Sequence, residues 1–253
     1  MPLALTRAVP PSISRCELTH VGRHPIDHAR AAAQHRNYER ALAAAGCQIV
    51  AVPAAPDLPD SVFVEDTAVV LDEVAVITRP GAASRRGETA ATAVVLAAHR
   101  ALVAIETPGT LEGGDVLRIG RRLFVGASSR SNPDGLGQLD GHARRFGYEV
   151  VAVPLRGCLH LKSAVTLVAP DTIVVNPAWV DAGLLGALHV VEVDPREPFA
   201  ANALRVGDRV IFPAAHARTR DRLAAHGIDI ESVDVSELAK AEGGVTCCSL
   251  IVE

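Results

Sequence analysis

Apolar residues in this chain fall into short runs that come in pairs, each pair split by a brief polar turn and followed by an alanine-rich stretch of helical composition. Thr67–Leu71 and Val74–Thr78 flank the turn Asp72-Glu73, and Val116–Ile119 and Arg122–Val125 flank Gly120-Arg121. Val165–Val168 and Ile173–Val175 turn at Pro170-Asp171, and Leu204–Val206 and Arg209–Phe212 turn at Gly207-Asp208. Each pair predicts a β-hairpin. Helices are predicted over Glu88–Arg100, Gly135–Phe146, a shorter stretch near Ala182–Leu188, and Ala217–His226. The spacing is roughly 45 residues each time, a period that marks propellers and arrays, and the unit reads strand, strand, helix, strand.

The beginning of the chain supplies a strand candidate at Ala4–Val9, a long helix from Ile26 to Ala45 closed by Gly46, and a strand at Gln48–Val52. Pro53–Asp60 carries three prolines and must be a loop. The final apolar run, Ser249–Val252, has no hairpin partner, and we expect the Ala4–Val9 strand to pair with it. Every hairpin is entered through a polar or reactive cluster: Glu65-Asp66, Glu112-Gly113-Gly114-Asp115, His160-Leu161-Lys162-Ser163 and Ala201-Asn202, with Thr246-Cys247 opening the last strand. An open doubly wound sheet would not put these clusters at the same point of every repeat, whereas a radial arrangement would line one central channel with them. Residues 1–253 are therefore expected to form a single catalytic domain of five repeats.

With 253 residues, 49% of them hydrophobic, the chain can bury a substantial core. A net charge of −4 without basic clusters argues against nucleic acid or an anionic membrane as partner, and no apolar stretch is long enough to cross a bilayer. Cysteine is present in odd number, at positions 16, 47, 158, 247 and 248, which points to free thiols in a reducing cytoplasm. A small polar ligand is the expected partner; a homodimer is left open.

Gly243-Gly244 lets the backbone approach something closely just before the thiols of Cys247 and Cys248. A buried cysteine usually packs as a small hydrophobe, so a reactive thiol needs company. Of the ten histidines, His24, His28, His35, His99 and His226 belong to solvated helical stretches, but His160 stands between leucines at a strand entrance. Glu112 precedes two glycines, and Cys, His and a carboxylate together suit covalent catalysis. The acidic set Asp60, Glu65 and Asp66 would repel itself if it converged unliganded, which implies a cationic ligand; Asp57 reads as a solvated loop residue. Arg85 and Arg130 each follow a hairpin and could fork onto a carboxylate. A ligand with a cation at one end and a carboxylate at the other reconciles these groups.

Phe63-Val64-Glu65-Asp66-Thr67, Leu111-Glu112-Gly113-Gly114-Asp115, Leu159-His160-Leu161-Lys162-Ser163 and Thr246-Cys247-Cys248-Ser249 resemble, in order, the motifs of the dimethylarginine dimethylaminohydrolases of the guanidine-modifying (pentein) superfamily. The resemblance runs from about Leu18 to the C-terminus. It implies a five-bladed α/β propeller and hydrolysis of methylated arginine to citrulline plus a methylamine, with no metal or cofactor. It further implies Cys247 as nucleophile, His160 as general acid and base, and Glu112 as the carboxylate serving both guanidinium and histidine. Glu65 and Asp66 would hold the guanidinium; Asp60 with the carbonyls of Leu18 and Ala241 the α-ammonium; Arg85 and Arg130 the α-carboxylate; and Phe63 the substrate stem. Cys248 matches no role, and the segment Leu18–Gly22 matches only at Leu18. Arginine deiminase, an amidinotransferase, a hydrolase of another N-substituted arginine and a non-catalytic ribosome-binding propeller stay open. Where the deiminase motif resembles His-x-Asp this chain has Lys162, which is expected to turn away from a guanidinium it would repel.

Overall fold

The computed structural model describes every residue from Met1 to Glu253. The chain opens with β1 (Leu3–Thr6), α1 (His28–Ala44) and β2 (Gln48–Ala51), followed by β3 (Ala68–Val70), β4 (Val74–Ile77), α2 (Thr89–Leu96) and β5 (Ala101–Ala104). Next come β6 (Val116–Ile119), β7 (Arg122–Ala127), α3 (Pro133–Ala143) and β8 (Glu149–Pro154), then α4 (Leu161–Ala164), β9 (Val165–Ala169), β10 (Thr172–Val175) and β11 (His189–Glu192). The last elements are β12 (Leu204–Val206), β13 (Arg209–Pro213), α5 (Ala217–Ala225), β14 (Asp229–Val233), α6 (Ser236–Ala239) and β15 (Leu250–Val252).

These strands make five three-stranded sheets with one plan. A first strand pairs antiparallel with the second across the expected hairpin, and the second pairs parallel with the third, which returns by a crossover. Gly120 and Gly207 take the left-handed backbone conformation, φ +60° and +57°, that two of the tight turns require. The remaining sheet joins the two ends of the chain: β15 runs antiparallel to β1 with Leu3 opposite Val252 and Leu5 opposite Leu250, while β1 pairs parallel with β2. The expected closure by the N-terminal strand is present.

Five separate buried clusters show that the sheets form a ring. One joins Leu5, Val52 and Leu250 of the first sheet to Ala75 and Leu96 of the second unit. Others join Val74 and Val76 to Leu123 and Leu139, Phe124 to Ile173 and Val175, and Val174 to Val210 and Phe212. The last returns from Ile211 and Val233 to Ala4, Tyr38 and Leu42 of the first unit. Apolar packing thus fills the gaps between neighbouring units, and the axis is left to the polar entrances of the inner strands.

Local chemistry trims the predicted helices. Asp27 caps α1 by accepting from the Arg30 N–H at 3.0 Å, so the helix starts at His28 rather than Ile26. The stretch at Ala182–Leu188 holds only a 3₁₀ turn, Ala182–Leu185, stopped at Gly186 with φ +96°. Cys247 and Cys248 are not on the last strand as expected. They lie in a turn ahead of β15, and Gly244 N–H points at the Cys247 sulfur at 3.3 Å.

Candidate active site

A tight turn precedes each inner strand: 3₁₀ turns at Val64–Thr67 and Gly113–Asp115, α4 at Leu161–Ala164, and irregular turns before β12 and β15. Such turns rotate successive side chains by roughly a hundred degrees, so neighbouring residues diverge to opposite ends of the channel. Asp66, His160 and Cys247 are thereby delivered to one cleft, together with Asp60, Phe63, Arg85, Arg130 and Ala241, while Glu112, with no exposed surface, stands behind His160. Glycine makes room for this convergence. A Cβ at Gly114 would sit 2.6 Å from His160 Nδ1, and one at Gly243 would collide with the Phe63 ring.

His160 Nε2 lies 2.7 Å from Glu112 Oε2, and His160 Nδ1 lies 3.9 Å from Asp66 Oδ1. Burial works against the imidazolium, but Asp66, Glu112 and Asp115 outweigh it and hold His160 up at about 9. For Asp66, burial favours the neutral acid, yet His160, Arg85 and the Gly114 N–H at 2.9 Å bring it down to about 2. Burial also opposes ionisation of Glu112, but its bond to His160 keeps it below the usual glutamate value. Cys247 is half-buried, and burial, followed by the charges of Glu65 and Asp66, pushes its thiol up to about 12.

At the other end of the cleft Asp60 is 5% exposed, accepts from the Glu17 N–H at 3.2 Å, and is raised by burial. The Leu18 and Ala241 carbonyls accept no hydrogen bond from the protein. Arg130 donates to Thr19 Oγ1 at 3.0 Å and stands 3.5 Å from Glu112 Oε1. Arg85 is more committed than expected: it reaches Asp66 at 2.7 Å, Glu88 at 2.9 Å and the Phe63 carbonyl at 3.1 Å. Of the five guanidinium hydrogens, one on Nη1 is left for a ligand.

One expectation is corrected. Glu65 does not line this cleft, because Lys162 takes its Oε1 at 2.5 Å and the Thr246 hydroxyl donates to its Oε2 at 2.7 Å. It faces a larger cavity, about 420 Å³, at the opposite end of the channel. Lys162 lines that cavity too and not the cleft, in keeping with the expectation that it turns away from a guanidinium; Glu65 is the acceptor nearest its ammonium. Leu18 packs its side chain against the core between the first and last units, which leaves its backbone carbonyl, the group expected to matter, as its polar contribution.

Residue-by-residue reading missed the groups that hold these in place. Asp115, wholly buried, accepts from Ser128 at 2.5 Å, from Ser131 at 2.6 Å and from the Leu161 N–H at 3.1 Å. Ser131 Oγ in turn accepts from the Glu112 N–H, and Ser128 Oγ from the Arg130 N–H. One carboxylate thus fixes the backbones that carry Glu112, Arg130 and His160. Asn202 does the same for the thiol turn, accepting from the Thr246 N–H at 3.1 Å and donating to Thr246 Oγ1 at 2.9 Å. The only signal for either was its place at a hairpin entrance. Asp66, Glu112 and His160 are spaced as metal ligands could be, but Arg85 and Arg130 already stand on the two carboxylates, which suits the set to a delocalised organic cation rather than a metal dication.

The sequence profile of the arginine deiminase family matches residues 52–199. An N(G),N(G)-dimethylarginine dimethylaminohydrolase of Streptomyces coelicolor is 41% identical, covering 98% of this chain and 95% of its own length. The enzyme of the same description from Pseudomonas aeruginosa is 36% identical over 92% of this chain and 91% of its own. A crystal structure of the Pseudomonas aeruginosa enzyme, a cysteine-to-serine variant in complex with citrulline, superposes with a TM-score of 0.93 at 33% identity over 98% of both chains. With identity at this level along nearly its whole length and the same ring of five units, the chain belongs to the dimethylarginine dimethylaminohydrolase family, within the wider arginine deiminase family.

Proposed function

We propose that the chain hydrolyses Nω-methylated arginines, asymmetric dimethylarginine and monomethylarginine, to citrulline and a methylamine. One observation carries the reading: a thiol, an imidazole held protonated and the Asp66 carboxylate share a buried cleft, with Glu112 bonded to that imidazole from behind, and the cleft also offers the Asp60 carboxylate and two arginines. The substrate's α-ammonium is bound by Asp60 and the Leu18 and Ala241 carbonyls, its α-carboxylate by Arg130 and the spare Arg85 N–H, and its stem by Phe63. Asp66 and Glu112 hold the guanidinium, and Glu65 adds charge from behind without offering a free oxygen.

The guanidinium counters the carboxylates that raise the Cys247 thiol, so binding generates the thiolate that attacks the central carbon. The C–N bond to the methylated nitrogen breaks as His160 gives that nitrogen its proton, leaving an S-alkyl thiouronium. Water then attacks, His160 takes its proton, the C–S bond breaks, and citrulline leaves with the thiolate restored.

Arginine deiminase activity is the second reading, favoured by the profile match. Lys162, an ammonium paired to Glu65, offers no acceptor for the second nitrogen of unmodified arginine, whereas a methylated nitrogen needs fewer. Citrulline production from asymmetric dimethylarginine, monomethylarginine and arginine, assayed side by side, tests the choice. We expect kcat/KM for one methylated substrate to exceed that for arginine by at least about tenfold; equal or better turnover of arginine would install the deiminase reading instead.

A further inference from the structure

The cleft itself is nearly full, with about 20 Å³ free beneath the Glu17–Gly22 loop, little more than one water-sized space. A second chamber of about 180 Å³ opens directly beside it. The two share Leu159, Glu242, Gly243 and Cys247, so the sulfur lies in the partition between them. Beyond that partition the walls are Val21, Phe199, Pro213, Ala215, Val235 and Ser163.

The polar groups of this chamber are engaged or neutral. Asn202 is bonded to Thr246, the Ser236 hydroxyl accepts from Arg30 and Gln34, and both Glu242 oxygens accept from the loop's Thr19 and His20 N–H groups. Burial keeps His216 on the neutral side despite Glu197. The chamber therefore has neither a free charge for a second ionic ligand nor a cluster of open donors. It offers apolar surface within reach of the reacting sulfur.

We infer that this chamber is a subsite for the substituent on the departing nitrogen, and that the substrate class extends beyond methyl to unbranched alkyl groups such as propyl. The inference rests on the reading given under Proposed function and deepens it. Leu159 precedes His160, the group that must protonate the departing nitrogen. An alkyl chain on that nitrogen that extends past Leu159 passes out of the cleft into the chamber and exchanges water for Val21, Phe199 and Pro213. The chemistry balances as before: the C–N bond breaks, the proton from His160 goes to propylamine, and water restores the thiolate.

Citrulline release from Nω-propyl-L-arginine and Nω-methyl-L-arginine tests this, with wild type and the chamber-filling variants Ala215→Leu and Ser163→Leu. Ala215 is exposed on the rim, so its variant keeps the test open if the second folds poorly. In wild type, kcat/KM for the propyl substrate should lie within about tenfold of that for methyl. Each variant should cut it by a further tenfold or so while leaving methyl turnover within about twofold. Failure to process the propyl compound while methyl is hydrolysed would overturn the inference alone. Should methylarginine yield no citrulline, the hydrolase reading fails, and the chamber is judged by protection of Cys247 from iodoacetamide. Propylarginine must then protect wild type better than arginine does, and must lose that advantage in Ala215→Leu; equal protection overturns the inference.

Discussion

Cys247 and Cys248 are adjacent in the chain but occupy opposite environments. The turn before β15 presents the half-buried Cys247 to the cleft and its side chamber, while Cys248 is wholly enclosed in the core between the last and first units. Cys247→Ser should lower kcat at least about a thousandfold, and Cys248→Ser should retain most of it; steady-state kinetics giving the opposite order would remove Cys247 from its role. Glu112 makes the second residue-scale prediction. Its Gln variant should lower kcat by at least about a hundredfold. It also bears on stability, because His160 rises from its ordinary 6.5 to about 9 in the fold. A base raised in this way contributes stability that is fully present below 6.5 and is lost as pH rises through about 9. The Tm deficit of Glu112→Gln should therefore be largest near pH 6 and shrink above pH 9; a deficit independent of pH would show that the ion pair is not its source.

At the scale of elements, the loop Glu17–Gly22 and the turn after α6 form a clasp over the cleft. Glu242 is the one non-glycine residue with left-handed backbone, φ 62°, and its two oxygens accept from Thr19 N–H at 2.7 Å and His20 N–H at 2.8 Å. Arg130 and Ser84 hold the same loop through Thr19 and Glu17. Glu242→Gly keeps the turn, since glycine accepts that φ, but releases the loop. KM should rise about tenfold while kcat stays within about threefold, the pattern of lost ground-state closure rather than lost chemistry. A fall in kcat with unchanged KM would place Glu242 in the chemical step instead.

For the molecule as a whole, stability is distributed over five interfaces between neighbouring units, and the interface made by β1 and β15 holds the ring closed. Leu5 has no exposed surface and faces Leu250, two residues past the thiol turn. Leu5→Ala should cost roughly 2–5 kcal/mol in urea unfolding, and activity should fall at denaturant concentrations where wild type is still native. A loss well under 1 kcal/mol would mean that the closing sheet contributes little.

Much of this was local and therefore legible along the chain. Paired apolar runs with polar turns define hairpins because strand pairing across two residues is decided by neighbours, so four of the five sheets were visible as pairs before any folding. The regular recurrence of Glu65-Asp66, Glu112, His160 and Cys247 at hairpin entrances likewise marked the residues brought near the axis. What the sequence could not decide is which end of the channel each side chain faces. That depends on the rotation within a single turn, and it put Asp66 beside His160 but turned its neighbour Glu65 toward Lys162. It likewise could not show that Asp115, at a hairpin entrance, collects three donors from two other segments, or that a second chamber shares the wall of Cys247. Those features exist only where segments distant in the chain meet, and packing between units, not propensity within them, sets their geometry.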